Sequence, residues 1–478
     1  MTITGSSFAN NDANGTTFTN GGAIYNNGTI TKLYADFTEN KSEKGYGGAI
    51  YNNYNLCIIA DDRDITFSGN KQNVTKVTRD DAGNITEVEG GTSNAIFNND
   101  YVELDAREGR TIWMYDRLAG NAGENWEWVK KGAGTLALGE NNGGVLDDVQ
   151  IKKGTIKIVQ NDKDPSIYGT GFYEAEVTWE DNTRIDSQND HIDDVILGRY
   201  VTLNGTVHAL IDVNLANQTA DKLLAPGSAS GSGNIILDTI KIVTGGGVFE
   251  SPKSVLIADE NTKGKISLAD NVSISGEGKT SWVLTYTASN GKLNFGGDVT
   301  LKDVANASSP AERVFNAVKD ELVAENIDGI GHDDANLIVK MNNYKIDGQN
   351  HGGLVTQNAN QKLTVNDTVA TDFSKDSDGA FIYDNSEATI KINNSDVENN
   401  SSIGNGGAIY NSGLLTVTDT SFEENTATGL GGAIYSTGNV IVNAVNKAVE
   451  FTDNTSGSGA NDIYMSGNAT IPAKNMMI

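Results

Sequence analysis

The sequence predicts an all-β fold, a right-handed parallel β-helix with one short flanking α-helix near 309–326. A repeat is the first reason. Gly-Gly-Ala-Ile-Tyr stands at Gly21–Tyr25, Gly47–Tyr51, Gly406–Tyr410 and Gly431–Tyr435, with worn copies at Asn94–Phe97, Gly379–Tyr383 and Asn461–Tyr464. Phe-x-x-Asn stands at Phe8/Asn11, Phe37/Asn40, Phe67/Asn70, Phe422/Asn425 and Phe451/Asn454. Tyr25 and Tyr51 are 26 residues apart, Tyr383 and Tyr410 27, and Tyr410 and Tyr435 25. A fixed period in the twenties marks a solenoid, in which each repeat buries its apolar face only by stacking on its neighbours. The second reason is alternation: Leu415, Val417 and then Phe422 interleave with Thr416, Thr418 and Thr420, the period-2 pattern of short strands. Third, Gly, Asn, Asp and Ser fill the gaps, residues that reach left-handed angles and cap their own turns. No helical periodicity fits the repeat.

Within a coil, alternation puts Gly22, Ile24 and Asn26 on one face of the strand and Ala23 and Tyr25 on the other. Placing Ile24 inward makes Asn26 a rung of a hydrogen-bonded ladder at a corner, though the opposite assignment stays open. The Phe precedes the next Tyr by 14 residues at Phe37/Tyr51 and by 13 at Phe422/Tyr435 and Phe451/Tyr464. Phe37, Phe67, Phe422 and Phe451 are therefore expected to fill equivalent interior sites.

Four sections follow along the chain. Residues 1–100 carry the repeats and a lateral hairpin at 73–90, with Asp80–Asn84 as its turn. Residues 101–300 continue in divergent coils. Residues 301–366 are a helix-containing insertion: Ser309-Pro310-Ala311-Glu312 reads as a capping box, and Val314, Phe315, Val318, Leu322 and Val323 follow at helical spacing to about Asn326. Residues 367–478 resume the repeats. At about 4.8 Å per coil the whole chain makes on the order of 16–19 coils.

Composition bounds the function. Of 478 residues, 35 are Lys or Arg and 63 are Asp or Glu, a net charge of −28 that repels nucleic-acid phosphates. It suits a soluble surface rod, or one that collects divalent cations. Cys57, in the apolar run Leu56–Ala60, reads as a core thiol, and a lone cysteine permits no disulfide framework within the chain. The opening residues Met1–Ser6 lack the charged and apolar regions of a signal peptide, and no segment is long and apolar enough for a spanning helix. The end of the chain lacks the alternating strands of an outer-membrane barrel. Because Met1 falls almost directly on a Phe-x-x-Asn coil, the chain reads as a piece of a longer protein.

Gly-Gly-Ala-Ile paired with Phe-x-x-Asn resembles the repeat pair of the chlamydial polymorphic membrane proteins and related autotransporter adhesins. The resemblance covers roughly 1–100 and 370–470. A second motif set agrees with it. Lys130-Lys131-Gly132-Ala133-Gly134-Thr135-Leu136, then Gly154-Thr155-Ile156 one coil on, is similar to the passenger-associated repeat of autotransporters, with Asn141–Gly144 where that repeat has Tyr-Thr-Gly. The resemblance implies a cell-surface or extracellular passenger, anchored through an outer-membrane barrel absent from this chain. The partners it implies are host or neighbouring-cell surface molecules or glycans, or other copies of itself, with no nucleic acid and no membrane insertion by this segment.

Little in the sequence carries chemistry. The pairs Asp61-Asp62 (with Asp64), Asp80-Asp81, Asp147-Asp148, Asp193-Asp194 and Asp333-Asp334 each offer one carboxylate to a groove, since adjacent strand residues face opposite ways. Turn residues on an acidic surface explain them better. Asp376-Ser377-Asp378-Gly379 lacks the rest of a calcium loop. His191, His208, His332 and His351 are scattered and show no metal-ligand spacing. Trp126 and Trp128 share a face, as inner-wall packing or as a sugar platform. No catalytic, cofactor-binding or metal residue is assigned, and no cofactor. The reading is a non-catalytic adhesin or surface-interaction protein; the alternative is a β-helix carbohydrate enzyme, a polysaccharide lyase or glycoside hydrolase.

Overall fold

The computed structural model describes residues 1–15, 17, 19–79, 85–121, 127–140, 142, 145, 148–244, 253–275, 281–297, 299–457, 462–470 and 476–477. The described residues are nearly all β and form parallel β-solenoid coils. The chain divides into two compact units: 1–244 with 256–275 and 288–291, and 245–255 with 276–287 and 292–478.

In the first unit, Phe8, Phe37, Phe67 and Met114 lie in register on successive parallel strands. Phe37 and Phe67 are fully buried, and their rings stack at 4.7 Å with planes 9° apart. The second unit repeats the arrangement. Leu337, Leu363, Ile390, Leu415 and Val440 form one column, and Val339, Val365, Ile392, Val417 and Val442 another, every member buried. Phe422 and Phe451 stack at 5.0 Å. In-register stacking lets one apolar residue per strand build a continuous core, because each side chain is covered by its counterparts above and below.

The asparagine of Phe-x-x-Asn closes the turn after that column. In Asn40, Oδ1 accepts from the amide and Nδ2 of Asn11, while its own Nδ2 donates to Asn70 Oδ1 at 2.8 Å and to the Phe8 carbonyl at 2.9 Å. Asn400, Asn425 and Asn454 reproduce the ladder. Each rung satisfies buried polar groups of two coils at once, which a hydrophobic residue could not do. The residue before it, Glu39, Gly69, Glu424 or Asp453, takes a left-handed φ between 52° and 70°. A second ladder runs through Asn26, Asn52 and Asn98, with rungs of 2.6 and 2.8 Å.

The Gly-Gly pair has two separate causes. Gly406 has φ +70°, and a Cβ on Gly407 would lie 2.0 Å from the Gly432 carbonyl of the next coil. The inward Ile holds: Ile50, Ile96, Ile409 and Ile434 are fully buried. Outward placement of the Ala does not. Ala49, Ala95, Ala408 and Ala433 are equally buried, because the strand begins only at Ile and both Ala23 N and Ile24 N donate to the Ala49 carbonyl. The pleat is interrupted there, so alternation cannot be counted through it.

The helix is displaced from its predicted place. It spans Leu301–Ala305, with Thr300 and Asp303 forming the capping box, and no other α-helix occurs among the described residues. Glu312–Asn316, inside the predicted helix, is a strand, antiparallel to Trp282–Thr287 and parallel to Asn336–Lys340. Two neighbouring strands supply partners for its backbone, and Val and Phe are good strand formers. Phe315 is buried as expected, but Leu322 is 62% exposed. Lys71–Arg79 and Ile85–Ser93 pair antiparallel; Asp80–Asn84, the predicted turn, lies outside the described residues.

Candidate functional site

An inward-packed solenoid leaves its outer face as the working surface. The motif tyrosines point there and stack coil on coil: Tyr25–Tyr51 at 5.2 Å, and Tyr383–Tyr410, Tyr410–Tyr435 and Tyr435–Tyr464 at 5.3, 5.2 and 5.2 Å. Each contact adds about 0.5–1.5 kcal/mol beyond area burial, so these rows brace the coils.

A groove lies on the first unit. Asp148–Ile151, Glu176–Trp179, Tyr200–Leu203 and Ser228–Ser230 pair in parallel. Val149, Val177 and Val201 point inward and are buried, so the residues on either side of them point out. Asp148, Glu176, Tyr200 and Ser228 make one outward row; Gln150, Thr178, Thr202 and Ser230 make the next. One depression of about 280 Å³ is lined by Tyr173, Glu174, Arg199, Tyr200, Pro226 and Gly227. A second, of about 130 Å³, shares Tyr200 and adds Asp148, Gln150, Glu176, Thr178 and Thr202. Arg199 pairs with Glu174 at 3.0 Å and places its guanidinium 5.4 Å from the Tyr200 ring centre. A Cβ on Gly227 would lie 2.6 Å from Tyr200 Cε1, so glycine makes room for the ring. In the second unit, Thr300, Lys302, Glu321, Val323 and Ile327 line a cavity of about 250 Å³ beside the helix.

The residues singled out from sequence are dispersed over other roles. Asp64 accepts from Thr111 N and Trp113 Nε1, and Asp61 pairs with Lys32. Asp80, Asp81, Asp147 and Trp126 lie outside the described residues. Asp378 Oδ1 accepts from the amide of Asn405, one coil on. His191 stacks on Tyr168 and meets Asp193 at 2.8 Å, while His208 meets Asp238 at 2.8 Å. His332 accepts from Asp334 N, and His351 donates its amide to Gly348 O. Among the described residues no group of three or more His, Cys, Asp or Glu is placed to hold a metal ion. Trp128 is 2% exposed and packs the inner wall. Cys57 is half-buried and not a core thiol, since it alternates with the inward Leu56 and Ile58; burial, with Glu103 adding to the effect, pushes its thiol up to about 12, which disfavours the reactive thiolate.

Sequence reasoning missed the facing carboxylates. Asp148 and Glu176 are brought side by side by strand register although 28 positions apart in the chain; the one legible signal was the coil period itself. Three buried charged groups were missed as well. Lys130, first residue of the passenger-type motif, donates to the carbonyls of Lys131, Gly132 and Lys153, and burial lowers its amine to about 8. Burial raises Asp221 to about 8, although its carboxylate accepts from Ser187 Oγ and from the amides of Asp193 and Asp212. Asp116 takes the rung after Asn70 and is raised to about 7, again by burial.

Residues 35–53, 394–412 and 419–437 each match the Chlamydia polymorphic membrane protein repeat. The chain carries that repeat three times. Every match contains the Gly-Gly-Ala-Ile-Tyr motif, and the first and third also contain Phe-x-x-Asn, so the matched spans cover the turn glycines, the inward Ile and the outward Tyr of one coil. No curated protein and no solved structure matches the chain. Among the described residues no helix is long and apolar enough to cross a membrane. Polymorphic membrane protein repeats on a parallel β-solenoid fit a surface-exposed autotransporter passenger.

Proposed function

We propose that the chain is the adhesive passenger of an autotransporter-type protein, displayed at a bacterial surface through a barrel outside this sequence, and that it binds without catalysis. The observation that carries this reading is the placement of the family-matched motifs: their inward residues build the core, and their outward residues make a regular, braced surface. Such a surface presents like groups on successive repeat coils, so weak contacts add by multivalency. The acidic balance disfavours nucleic acid as the partner.

A carbohydrate enzyme is the second reading, because Asp148 and Glu176 stand on neighbouring strands beside one groove. The two carboxylates stand side by side in one outward row of the sheet, whereas glycosidases place theirs on either side of the sugar bond. Binding is the better use of the groove.

Display of the chain on a non-adherent bacterial cell tests the proposal. Attachment to epithelial cells, or clumping of the displaying cells, is expected to rise well above that of cells displaying the barrel alone. Equal attachment and equal clumping would remove the adhesive reading.

A further inference from the structure

We propose that the groove around Tyr200 is a subsite for an uncharged glycan chain; this rests on the adhesive reading and names its ligand class. Three features support it. The first is aromatic: Tyr200 is 43% exposed and Tyr173 49% exposed, both bordering the same depression, although large apolar rings normally leave water. Pyranose rings present an apolar C–H face that an exposed tyrosine covers well, with the phenol left wet.

The second feature is polar. Around those rings the groove sets out carboxylates, a guanidinium, an amide and hydroxyls, the set that hydrogen-bonds vicinal hydroxyl groups with both donors and acceptors. Strand pairing fixes them: Glu176 stands beside Tyr200, and Thr178 beside Thr202. A rigid scaffold spares the ordering cost that weak ligands cannot offset.

The third feature is charge. Arg199 is already paired with Glu174, while Asp148 and Glu176 form no ion pair with a described residue. The groove is therefore net negative, and a sulfated or uronic-acid chain would be repelled. That leaves neutral hexose or N-acetylhexosamine chains. The two depressions meet at Tyr200, so a chain of several sugars can run across the strands from Tyr173 to Asp148.

The test uses the intact chain with N-acetylchitohexaose, laminarihexaose, maltohexaose and a heparin dodecasaccharide, read by saturation-transfer NMR and calorimetry. At least one neutral hexasaccharide is expected to bind and heparin is not. Tyr200→Ala is expected to weaken binding about tenfold, and Tyr200→Phe, which keeps the ring, to change it little. Tyr200 faces solvent, so the fold is expected to survive both substitutions, with unchanged far-ultraviolet circular dichroism. Failure of all three neutral probes, or equal affinity in Tyr200→Ala, overturns the glycan subsite. If displayed cells still attach in that case, the adhesive reading survives; if attachment is also lost, both fall.

Discussion

Phe67→Ala is expected to cost the first unit about 3–5 kcal/mol, the range for deleting a buried phenylalanine. Phe67 has no exposed surface, stacks on Phe37 at 4.7 Å and stands in register with Met114 on its other side. The column leaves few ways to close the void, since each neighbour is fixed by its own strand pairing. Loss of the ring stack, about 0.5–1.5 kcal/mol, is included in that cost. Urea unfolding of the variant, beside an exposed control such as Tyr54→Ala, measures this. A loss below about 1 kcal/mol would mean that the Phe column is not part of a packed core.

Asp116→Asn is expected to stabilise the protein at pH 8, on the order of 2–4 kcal/mol, and to change little at pH 4. The asparagine ladder Asn11–Asn40–Asn70 ends on Asp116, whose Oδ2 accepts from the amide of Asn70 at 3.0 Å and from its Nδ2 at 2.5 Å. Burial without a cation pushes the carboxyl from its ordinary 3.8 up to about 7, with the Asp162 charge adding to the shift and hydrogen bonds from Asn70 and Gly69 opposing it. The folded state thus binds this proton more tightly than the unfolded state. The stability it contributes is complete below about pH 4 and is lost as pH rises through about 7. An asparagine keeps the acceptor oxygen and removes the buried charge. Thermal melts of both proteins from pH 4 to 8 read the effect directly. Equal stabilisation at both ends of that range, or none at pH 8, would contradict the buried-charge account.

What was legible in the sequence was whatever repeats. The period gave the solenoid, and the recurring Ile, Phe and Asn gave the core columns and the Asn26 ladder, because stacking forces equivalent residues into equivalent places; the Asn40 ladder was not foreseen, although its asparagine recurs in Phe-x-x-Asn. Asp116 escaped because the turn before it is one residue shorter: Met114 to Asp116 is two positions where Phe67 to Asn70 is three, so no Phe-x-x-Asn marks the rung. The helix was misplaced for a related reason. Val314, Phe315, Val318 and Leu322 satisfy helical spacing, yet Glu312–Asn316 had open strands on either side to pair with, and tertiary hydrogen bonding overrode local pattern. The Thr300–Asp303 cap was present in the sequence but shorter and less apolar than the stretch that outcompeted it. The groove was illegible because Asp148, Glu176 and Tyr200 belong to the divergent coils, where no repeated word sets the register. Only pairing brings them together.

Binding without turnover is the claim on which the functional account stands, and the facing pair Asp148 and Glu176 is where it is most exposed. The decisive measurement is the chain length of a panel of neutral and acidic polysaccharides after prolonged incubation with the intact protein, read by mass spectrometry. The account predicts that every polymer is recovered at its starting length. Shortened or unsaturated products that disappear in the Asp148→Asn, Glu176→Gln double variant would contradict it and make the chain an enzyme.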